Sequence, residues 1–320
     1  MQGLQNLGAT CAINSFIQIF CRIDELRNSI LNESNIPDNS LSFELKEILH
    51  LMHNENKSLS PNKFINYFYT IFSNIFDRRE QLDIGELLYF LLDKLNQELA
   101  IDIQENNKIT NIIEEHDNNI AKYNSFKVSK LLEKTQGSII NMFECKRCNH
   151  TNYNFEPFVS IQLDIGNDDN PCISNMFMNY LKVEERASDD WKCDKCKSNS
   201  DYVKKMKLWN TSNVLFLIIK RFDGGFHKNM KSINIDNNLI FKKGSIFRKD
   251  FDANYEIKAI GLHHGMSQQG GHYTAICKTN DKIIHYDDEN INEIPEENFN
   301  QFLHQNNTAY LLVYELKKND

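Results

Sequence analysis

The stretch NLGATCAINSFIQIF, residues 6–20, combines a helical apolar pattern with a cysteine at its head. Its apolar residues recur at i, i+3, i+4 and i+7: Ile13, Phe16, Ile17 and Phe20. This spacing predicts a helix with one buried face, and Thr10 is a candidate N-cap. Cys11 lies off the buried stripe, at the electropositive end of the helix, where a thiolate is favoured. Two interpretations follow for Cys11: a buried structural cysteine, which is common, or a nucleophile that needs a base elsewhere in the chain.

The composition is that of a globular protein with a sizeable core. The chain has 320 residues, of which 41% are hydrophobic and 25% charged, so we expect two domains or one elaborated domain. The net charge of −8 without a long basic run argues against nucleic-acid binding, which needs a cationic face. The longest apolar run, residues 214–219, is too short to cross a bilayer, and the first residues lack the pattern of a secretory signal. We therefore expect an intracellular protein, cytoplasmic or nuclear, whose eight cysteines stay reduced.

Helical and strand patterns occupy different parts of the chain. The first hundred residues carry helical spacing, as in residues 81–95. After residue 136, short segments rich in β-branched and aromatic residues predict strands, among them residues 214–222. The polar, Asn-rich stretch 101–123 is expected to be a surface insertion or a poorly ordered linker, with His116 in solvent. This order predicts an α+β fold, with a helical lobe followed by a mainly antiparallel β lobe.

Two Cys-x-x-Cys pairs predict a metal site. Cys145 and Cys148 form the first pair, and Cys193 and Cys196 form the second. A two-residue gap lets both thiolates of a pair reach one ion, and two pairs complete a tetrahedral shell of four sulfurs that favours zinc. A redox motif does not account for two pairs, and ordinary buried cysteines do not account for the charged residues around these four. A closed four-cysteine shell leaves no position for water, so we expect a structural zinc.

His272 is the candidate base for Cys11. It follows two glycines at the start of an apolar strand, where a histidine is held rigidly and another chain can approach the glycine backbone closely. The next strand-like segment ends in Asp287 and Asp288. A hairpin between the two strands would bring a carboxylate beside the imidazole, as a catalytic triad requires. The alternative for the two aspartates is a polar turn.

Several stretches resemble the motifs of the ubiquitin-specific proteases. GLQNLGATCAINSFIQ (residues 3–18) is similar to the cysteine box of that family, and GGHYTA followed by YDD is similar to its histidine box. QLDIGELLYFLLDKL resembles the family's Gln-Gln-Asp-Ala-x-Glu-Phe-Leu helix, and LIIKRF its Leu-x-Lys-Arg-Phe strand. The two cysteine pairs fall where the zinc-bearing fingers of the family would be. The resemblance extends over nearly the whole chain, in the family's order.

The resemblance implies a papain-like cysteine protease that cleaves after the C-terminal glycine of ubiquitin. It implies a single catalytic domain with a helical thumb (1–135), zinc-bearing β fingers (136–215) and an antiparallel β palm (216–320). The implied partners are ubiquitin or ubiquitinated proteins, and we expect a monomer that binds neither nucleic acid nor membranes.

The resemblance also assigns roles to individual residues. Cys11 is the implied nucleophile, His272 the general base and Asp287 the residue that orients the base. Asp288 is the alternative for that orienting role or an assistant to it. The side-chain amide of Asn6 is the implied hydrogen-bond donor to the oxyanion.

Four further residues are implied to bind the tail of ubiquitin: Asp83, Glu86, Gly271 and Tyr273. Asp83 and Glu86 would face the arginines of the tail, and Gly271 and Tyr273 would line a narrow channel for its terminal glycines. From the residues alone, two carboxylates three positions apart on one helix suit a basic peptide, but they are equally typical of a solvated acidic surface.

Two alternatives to a deubiquitinase remain open. The first is a catalytically silent zinc-ribbon protein that binds ubiquitin without cleaving it. The intact residues Cys11, His272 and Asp287 favour the enzyme over this alternative. The second is a protease for another ubiquitin-like modifier, because the motifs do not distinguish related tails.

Overall fold

The structure, a computed structural model, describes these parts of the chain: residues 2–54, 58–106, 108–186, 191–222, 227–267, 270–279 and 282–318. Its helices are α1 (Cys11–Arg22), α2 (Asp24–Leu31), α3 (Leu41–Asn54), α4 (Asn62–Ile71), α5 (Ile84–Leu99), α6 (Ile112–Tyr123), α7 (Lys130–Thr135), α8 (Ile173–Tyr180) and α9 (Glu296–Leu303). Its strands are β1 (Ile101–Asp102), β2 (Lys127–Val128), β3 (Gly137–Cys145), β4 (Thr151–Phe158), β5 (Ser160–Asp164), β6 (Glu184–Arg186), β7 (Tyr202–Asn210), β8 (Val214–Lys220), β9 (Asn238–Phe241), β10 (Ala253–Ser267), β11 (Gly270–Lys278), β12 (Ile283–Asp287), β13 (Asn290–Ile294) and β14 (Ala309–Leu316). The predicted α+β class is confirmed.

The helix α1 is the centre of the helical part. The predicted stripe is buried, but so is nearly every other residue of the helix, and only Arg22 at its end reaches solvent. A helix that is buried all round belongs in a core rather than on a surface. It packs between the other N-terminal helices and the strand β11, which later carries His272. The head of α1 is thereby held against the sheet.

A large sheet forms the second half of the chain. Its strands follow the order β13-β12-β11-β10-β14-β8-β5, and β9 pairs with β10. All of its pairs are antiparallel except β5 with β8, which run parallel. In β8, Val214, Phe216 and Ile218 pack on the helical side, whereas the alternate residues pack into a second core on the opposite face. Burial on both faces explains why this strand reads as a continuous apolar run.

A separate four-stranded sheet of order β4-β3-β7-β6 carries the cysteine pairs. Cys145 ends β3, and the second pair lies between β6 and β7. The strand β5 falls within the range 136–215 expected for the fingers, yet it joins the large sheet through β8. The fingers sheet is therefore built from the hairpin β3–β4 and from β6 and β7, with β5 returning the chain to the palm.

The expectation of a poorly ordered linker at residues 101–123, with His116 in solvent, is wrong. The segment contains the helix α6, which begins with an N-cap at Asn111 whose side chain accepts from the amides of Ile113 and Glu114. His116 on this helix is buried, not solvated: its ring stacks on Trp209, and Nε2 lies 2.8 Å from the hydroxyl of Ser138. The contacts of the buried His116 help to anchor a helix that is otherwise mostly polar, and the polar composition of the segment did not predict them.

Among the described helices, none combines the length and the apolar character that a membrane crossing requires.

Candidate active site

The thiol of Cys11 lies at the first turn of α1. Cys11 is the first residue of the helix and is 4% exposed. Thr10 occupies the N-cap position, as predicted, but its hydroxyl does not cap the helix. Instead it accepts from the amide of Leu7 at 3.0 Å and donates to Asn6 Oδ1 at 3.2 Å. The Thr10 side chain therefore accepts no hydrogen bond from the first turn of α1, and Cys11 lies at the positive end of the helix dipole.

His272 and Asp287 are in direct contact. The strands β11 and β12 pair antiparallel, as the hairpin argument predicted. His272 Nε2 lies 2.6 Å from Asp287 Oδ1, and both side chains are partly exposed. A carboxylate at Nε2 selects the tautomer with its proton on that nitrogen, so Nδ1 keeps the lone pair that a base uses.

Asp288 is placed differently from its neighbour. Its Oδ2 lies 3.9 Å from His272 Nε2, beyond hydrogen-bond distance. Its two oxygens accept instead from Asn6 Nδ2 at 2.8 Å and from Asn14 Nδ2 at 2.7 Å. Its φ of 50° lies in the left-handed region, which a non-glycine residue adopts only where its surroundings hold it. The turn after β12 thus points consecutive carboxylates at different partners.

The N-terminal segment is fastened to this turn. The amide of Leu4 donates to the main-chain oxygen of Asp288 at 2.8 Å. At Gly3, a Cβ atom would lie 2.3 Å from the main-chain oxygen of Glu289, so only glycine allows this approach. The contact brings Asn6 from the start of the chain to the histidine strand, although the two are far apart in sequence.

The amide of Asn6 is oriented at both ends. Its Oδ1 accepts from the amide of Gly8 at 3.1 Å and from the Thr10 hydroxyl, and one Nδ2 proton is bound by Asp288. An Asn side chain has two Nδ2 protons. One of them therefore remains for a further acceptor.

The carboxylates of the two acidic residues at the start of α5 differ in whether they already have hydrogen-bond partners. Asp83 is the N-cap: Oδ1 accepts from the amides of Gly85 and Glu86, and Oδ2 accepts from the Tyr310 hydroxyl at 2.7 Å. Glu86 is exposed, and burial of part of its carboxyl group, together with the charge of Asp83, raises its pKa above the ordinary value. Glu86 is therefore available to a basic ligand, whereas the oxygens of Asp83 already have partners.

Tyr273 and Gly271 lie on β11 beside His272. Tyr273 is 1% exposed, and its hydroxyl has no hydrogen-bond partner among the described residues. Burial raises its pKa well above the usual value, so the hydroxyl stays a donor. Gly271 has a φ of 158°, and a Cβ there would lie 2.6 Å from His263 Nε2. Only glycine fits at this position of the strand.

Two residues at the site were not assigned from the sequence. Gln81 Nε2 donates to the main-chain oxygen of Gly271 at 2.6 Å and lies 3.5 Å from Cys11 Sγ. Gln81 begins the QLDIGEL motif, so its position in that motif was the available signal. Asn14 is 2% exposed and holds Asp288 from within α1. A buried asparagine in an apolar helix is itself a signal, because such a side chain needs a polar partner.

The four predicted metal ligands come together at the end of the fingers sheet. The sulfur atoms of Cys145, Cys148, Cys193 and Cys196 all lie within 4.8 Å of one another. Two of the separations are 4.0 Å and 3.6 Å, close to the roughly 3.8 Å between sulfurs that a tetrahedral ion with bonds of about 2.3 Å requires. The four thiols are thus spaced to bind one ion.

Both cysteine pairs form the same turn. The residue after each pair, Asn149 or Lys197, has a φ near 56°, and its amide donates to the main-chain oxygen of the first cysteine of that pair. Burial opposes ionisation of Cys145, but the amides of Cys148 and Arg147 outweigh it and lower its pKa to about 6. Such amides stabilise thiolates, the form that binds metal. The residues present therefore fit a four-cysteine metal site.

The family comparison covers almost the whole chain. The family model described as ubiquitin carboxyl-terminal hydrolase matches residues 2–314. A relative from Arabidopsis thaliana, ubiquitin carboxyl-terminal hydrolase 4, is 25% identical over 98% of this chain and 92% of its own length. Ubiquitin carboxyl-terminal hydrolase 12 from Salmo salar is 27% identical over 99% of this chain and 86% of its own length.

Solved structures show the same fold. A chain of the yeast SAGA deubiquitinating module matches with a TM-score of 0.76 and 22% identity, over 100% of this chain and 69% of its own length. A chain from the SAGA Ubp8/Sgf11/Sus1/Sgf73 module bound to ubiquitin aldehyde matches with a TM-score of 0.75 and 21% identity, over 100% of this chain and 70% of its own. The family match spans both the helical part and the sheet that carries His272. The chain therefore belongs to the ubiquitin carboxyl-terminal hydrolase family, as a deubiquitinating cysteine protease of the ubiquitin-specific protease type.

Proposed function

We propose that the chain hydrolyses the peptide or isopeptide bond after the C-terminal glycine of ubiquitin, with Cys11 as nucleophile, His272 as general base and Asp287 as the residue that orients the base. The observation that carries these roles is the convergence of distant segments on one site. The His272–Asp287 pair, the Asn6–Asp288 bond and the Gln81 contact with Cys11 join the N-terminus, α5 and the β11–β12 hairpin. A protein that only binds ubiquitin does not need this arrangement.

The reaction begins with the Cys11 thiolate. The first turn of α1 and an imidazolium at His272 both stabilise the negative sulfur. The thiolate attacks the carbonyl carbon of the terminal glycine, and a tetrahedral intermediate forms. His272 then gives its proton to the leaving lysine amine, which leaves a thioester on Cys11. A water molecule that His272 deprotonates hydrolyses the thioester and restores the thiolate.

Asn6 supplies the oxyanion donor in this proposal. Asp288 binds one Nδ2 proton and leaves the other for the developing negative oxygen. A donor that is already oriented loses no energy to reorganisation in the transition state, and one such donor is worth about 3–4 kcal/mol. The role of Asp288 is thus to hold the Asn6 amide, while Asp287 serves His272.

In this proposal the C-terminal tail of ubiquitin lies between α5 and β11. Glu86 offers an exposed carboxylate to an arginine of the tail, and Asp83 shapes the start of the helix that presents it. Gly271 and Tyr273 form the opposite wall, where a side chain in place of Gly271 would collide with His263.

Zinc at the four-cysteine site completes the proposal. Cys145, Cys148, Cys193 and Cys196 would hold it, and the ion would cross-link the ends of the fingers sheet without entering the reaction. The eight cysteines, all among the described residues, form no disulfide, which suits reducing surroundings and supports an intracellular location, in the cytoplasm or the nucleus. We infer a monomer whose partner is ubiquitin or a ubiquitinated protein.

Labelling by ubiquitin that carries a C-terminal electrophile tests the proposal. The wild-type protein should form a covalent adduct under reducing conditions, and Cys11→Ala should form none. Cys172→Ala is the matched control, because Cys172 is a half-buried free cysteine outside both sites, and it should label like the wild type. Binding of ubiquitin without an adduct would favour the silent alternative. Labelling by another ubiquitin-like electrophile in preference to ubiquitin would favour the second alternative.

A further inference from the structure

The side chain of Gln81 crosses the cleft beside the candidate nucleophile. Its carboxamide nitrogen lies 2.6 Å from the main-chain oxygen of Gly271 and 3.5 Å from Cys11 Sγ. Gln81 itself precedes α5, on the opposite wall from β11. One side chain therefore joins both walls and the thiol.

The carbonyl that Gln81 occupies is suited to a substrate. β12 pairs with β11 only at residues 275–278, so among the described strands the start of β11, which includes Gly271, has a paired neighbour on one side only. Extended peptides bind a strand through their main-chain amides. In a reactive geometry the carbonyl carbon of the terminal glycine is about 3–3.5 Å from the attacking atom. The amide nitrogen of the same glycine is two bonds away, and its N–H is therefore in the region that the Gln81 carboxamide now fills.

The position of Gln81 has one favourable and one unfavourable contribution to its energy. Nε2 gains a hydrogen bond, but Oε1 is buried without a partner among the described residues. A buried carbonyl oxygen that lacks a hydrogen bond costs stability, and exposure to water would recover it. Gln81 is also long and unbranched, so it can leave the cleft by side-chain rotation while the buried Leu82 holds the backbone.

We propose that, in the free protein, the carboxamide of Gln81 occupies the place of the N–H of the substrate's terminal glycine, and that the incoming tail displaces it from Gly271 and Cys11. This proposal rests on the proposed function, because it takes the tail to end at Cys11. Gln81 then competes with the tail for the Gly271 carbonyl. In the free protein it covers the Cys11 thiol, and a ligand must replace its hydrogen bond with contacts of its own.

Alkylation of Cys11 by iodoacetamide tests the covering role without ubiquitin. Gln81→Ala should raise the second-order rate for Cys11, followed by mass spectrometry of the peptide that contains it, by about 2- to 10-fold, the equilibrium weight of one hydrogen bond. Gln81→Met keeps the length of the side chain but removes the amide, and its rate should fall between those of Gln81→Ala and the wild type. Gln301→Ala, an exposed glutamine on α9, should match the wild type. An unchanged rate in Gln81→Ala would overturn the proposal.

Steady-state hydrolysis of a ubiquitin C-terminal fluorogenic amide tests the competition. Gln81→Ala should lower KM by the same factor with kcat unchanged, because only the free protein loses a contact. A higher KM would mean that Gln81 binds the tail, and a lower kcat would mean that it positions the thiol; either result contradicts displacement. Failure of the wild type to cleave ubiquitin at all would refute the proposed function, and the alkylation rates would still decide whether Gln81 covers Cys11.

Discussion

Asn6 and Asp288 are joined by a hydrogen bond of 2.8 Å, while the preceding residue, Asp287, contacts His272 at 2.6 Å. The two aspartates are adjacent in the chain but serve different groups. Asp287 contacts His272, which we propose as the base, and Asp288 contacts the amide of Asn6, which we propose as the oxyanion donor. These contacts distinguish Asp287 from Asp288, which the motif YDD by itself does not.

Substitution of each aspartate should distinguish the roles. Asp287→Asn should lower kcat by about 10³- to 10⁴-fold, because an amide no longer selects the tautomer of His272 that serves as base. Asp288→Ala should lower kcat by about 10²- to 10³-fold, as expected for a misplaced oxyanion donor. Both are measured by hydrolysis of a ubiquitin fluorogenic amide.

The control for the second role is a double-mutant cycle with Asn6→Ala. If Asp288 acts through Asn6, the double variant should be no slower than the slower single variant. Additive losses would contradict an action of Asp288 through Asn6.

Substitution of Asp83 should change the free energy of unfolding, whereas substitution of Glu86 should change KM. Asp83→Ala removes an N-cap and the partner of the Tyr310 hydroxyl, so the free energy of unfolding should fall by about 1–2 kcal/mol. Glu86→Gln should leave the unfolding free energy unchanged and raise KM for a ubiquitin substrate by about 2- to 5-fold, the worth of an exposed ion pair. Urea unfolding and steady-state kinetics measure the two quantities. An unchanged KM in Glu86→Gln would remove this residue from the tail site.

Loss of one cysteine ligand should release the metal. Native mass spectrometry should find one zinc ion on the wild-type protein and none on Cys193→Ser. The melting temperature of that variant should fall by up to about 20 °C, because structural zinc contributes on the order of 10 kcal/mol to small zinc domains and 1 kcal/mol changes Tm by about 2 °C or less at this chain length. Cys172→Ser is the control and should keep both the ion and the melting temperature. Full metal retention by Cys193→Ser would contradict the four-cysteine site.

His263 should make the fold sensitive to acid. Its ring is fully buried, and both ring nitrogens lack a hydrogen-bond partner among the described residues. Burial, assisted by the charges of Lys228 and His264, lowers its pKa to about 4. Below about pH 6.5 the histidine is protonated in the unfolded chain but stays neutral in the folded protein. The contribution of neutral His263 to the free energy of unfolding is therefore fully present above that pH and is lost as the pH falls toward 4.

The expected loss from His263 is about 2 kcal/mol of unfolding free energy between pH 7.5 and pH 5. Urea unfolding at both pH values measures it, and other groups that titrate in this range are removed by comparison with variants. His263→Gln should show a decrease about 2 kcal/mol smaller than the wild type, whereas His304→Gln, at an exposed histidine, should show the full decrease. Equal slopes in all three proteins would contradict a neutral buried His263.

Much of the fold can be predicted from local patterns of apolar and polar residues in the sequence. The stripe of α1, the helix after Asp83, the strands of the palm and the pairing of β11 with β12 follow from side-chain periodicity, which depends on neighbours only a few residues apart. Local pattern does not predict α6 within residues 101–123 for the same reason, because this helix is polar along most of its length and His116 is its buried residue.

The sequence by itself determined which chemical groups the protein has and in what local geometry: a cysteine at a helix start, a histidine at a strand start and two Cys-x-x-Cys turns. Only the tertiary structure decided which group contacts which. The assignment of Asp288 to Asn6, the support from Asn14 and the bridge from Gln81 to Gly271 join residues that are distant in the chain. A hydrogen bond requires the donor and acceptor atoms to lie within a few tenths of an ångström of about 2.9 Å. The folded sheet and helix bring these atoms together, and such distances are not encoded in the spacing of residues along the chain.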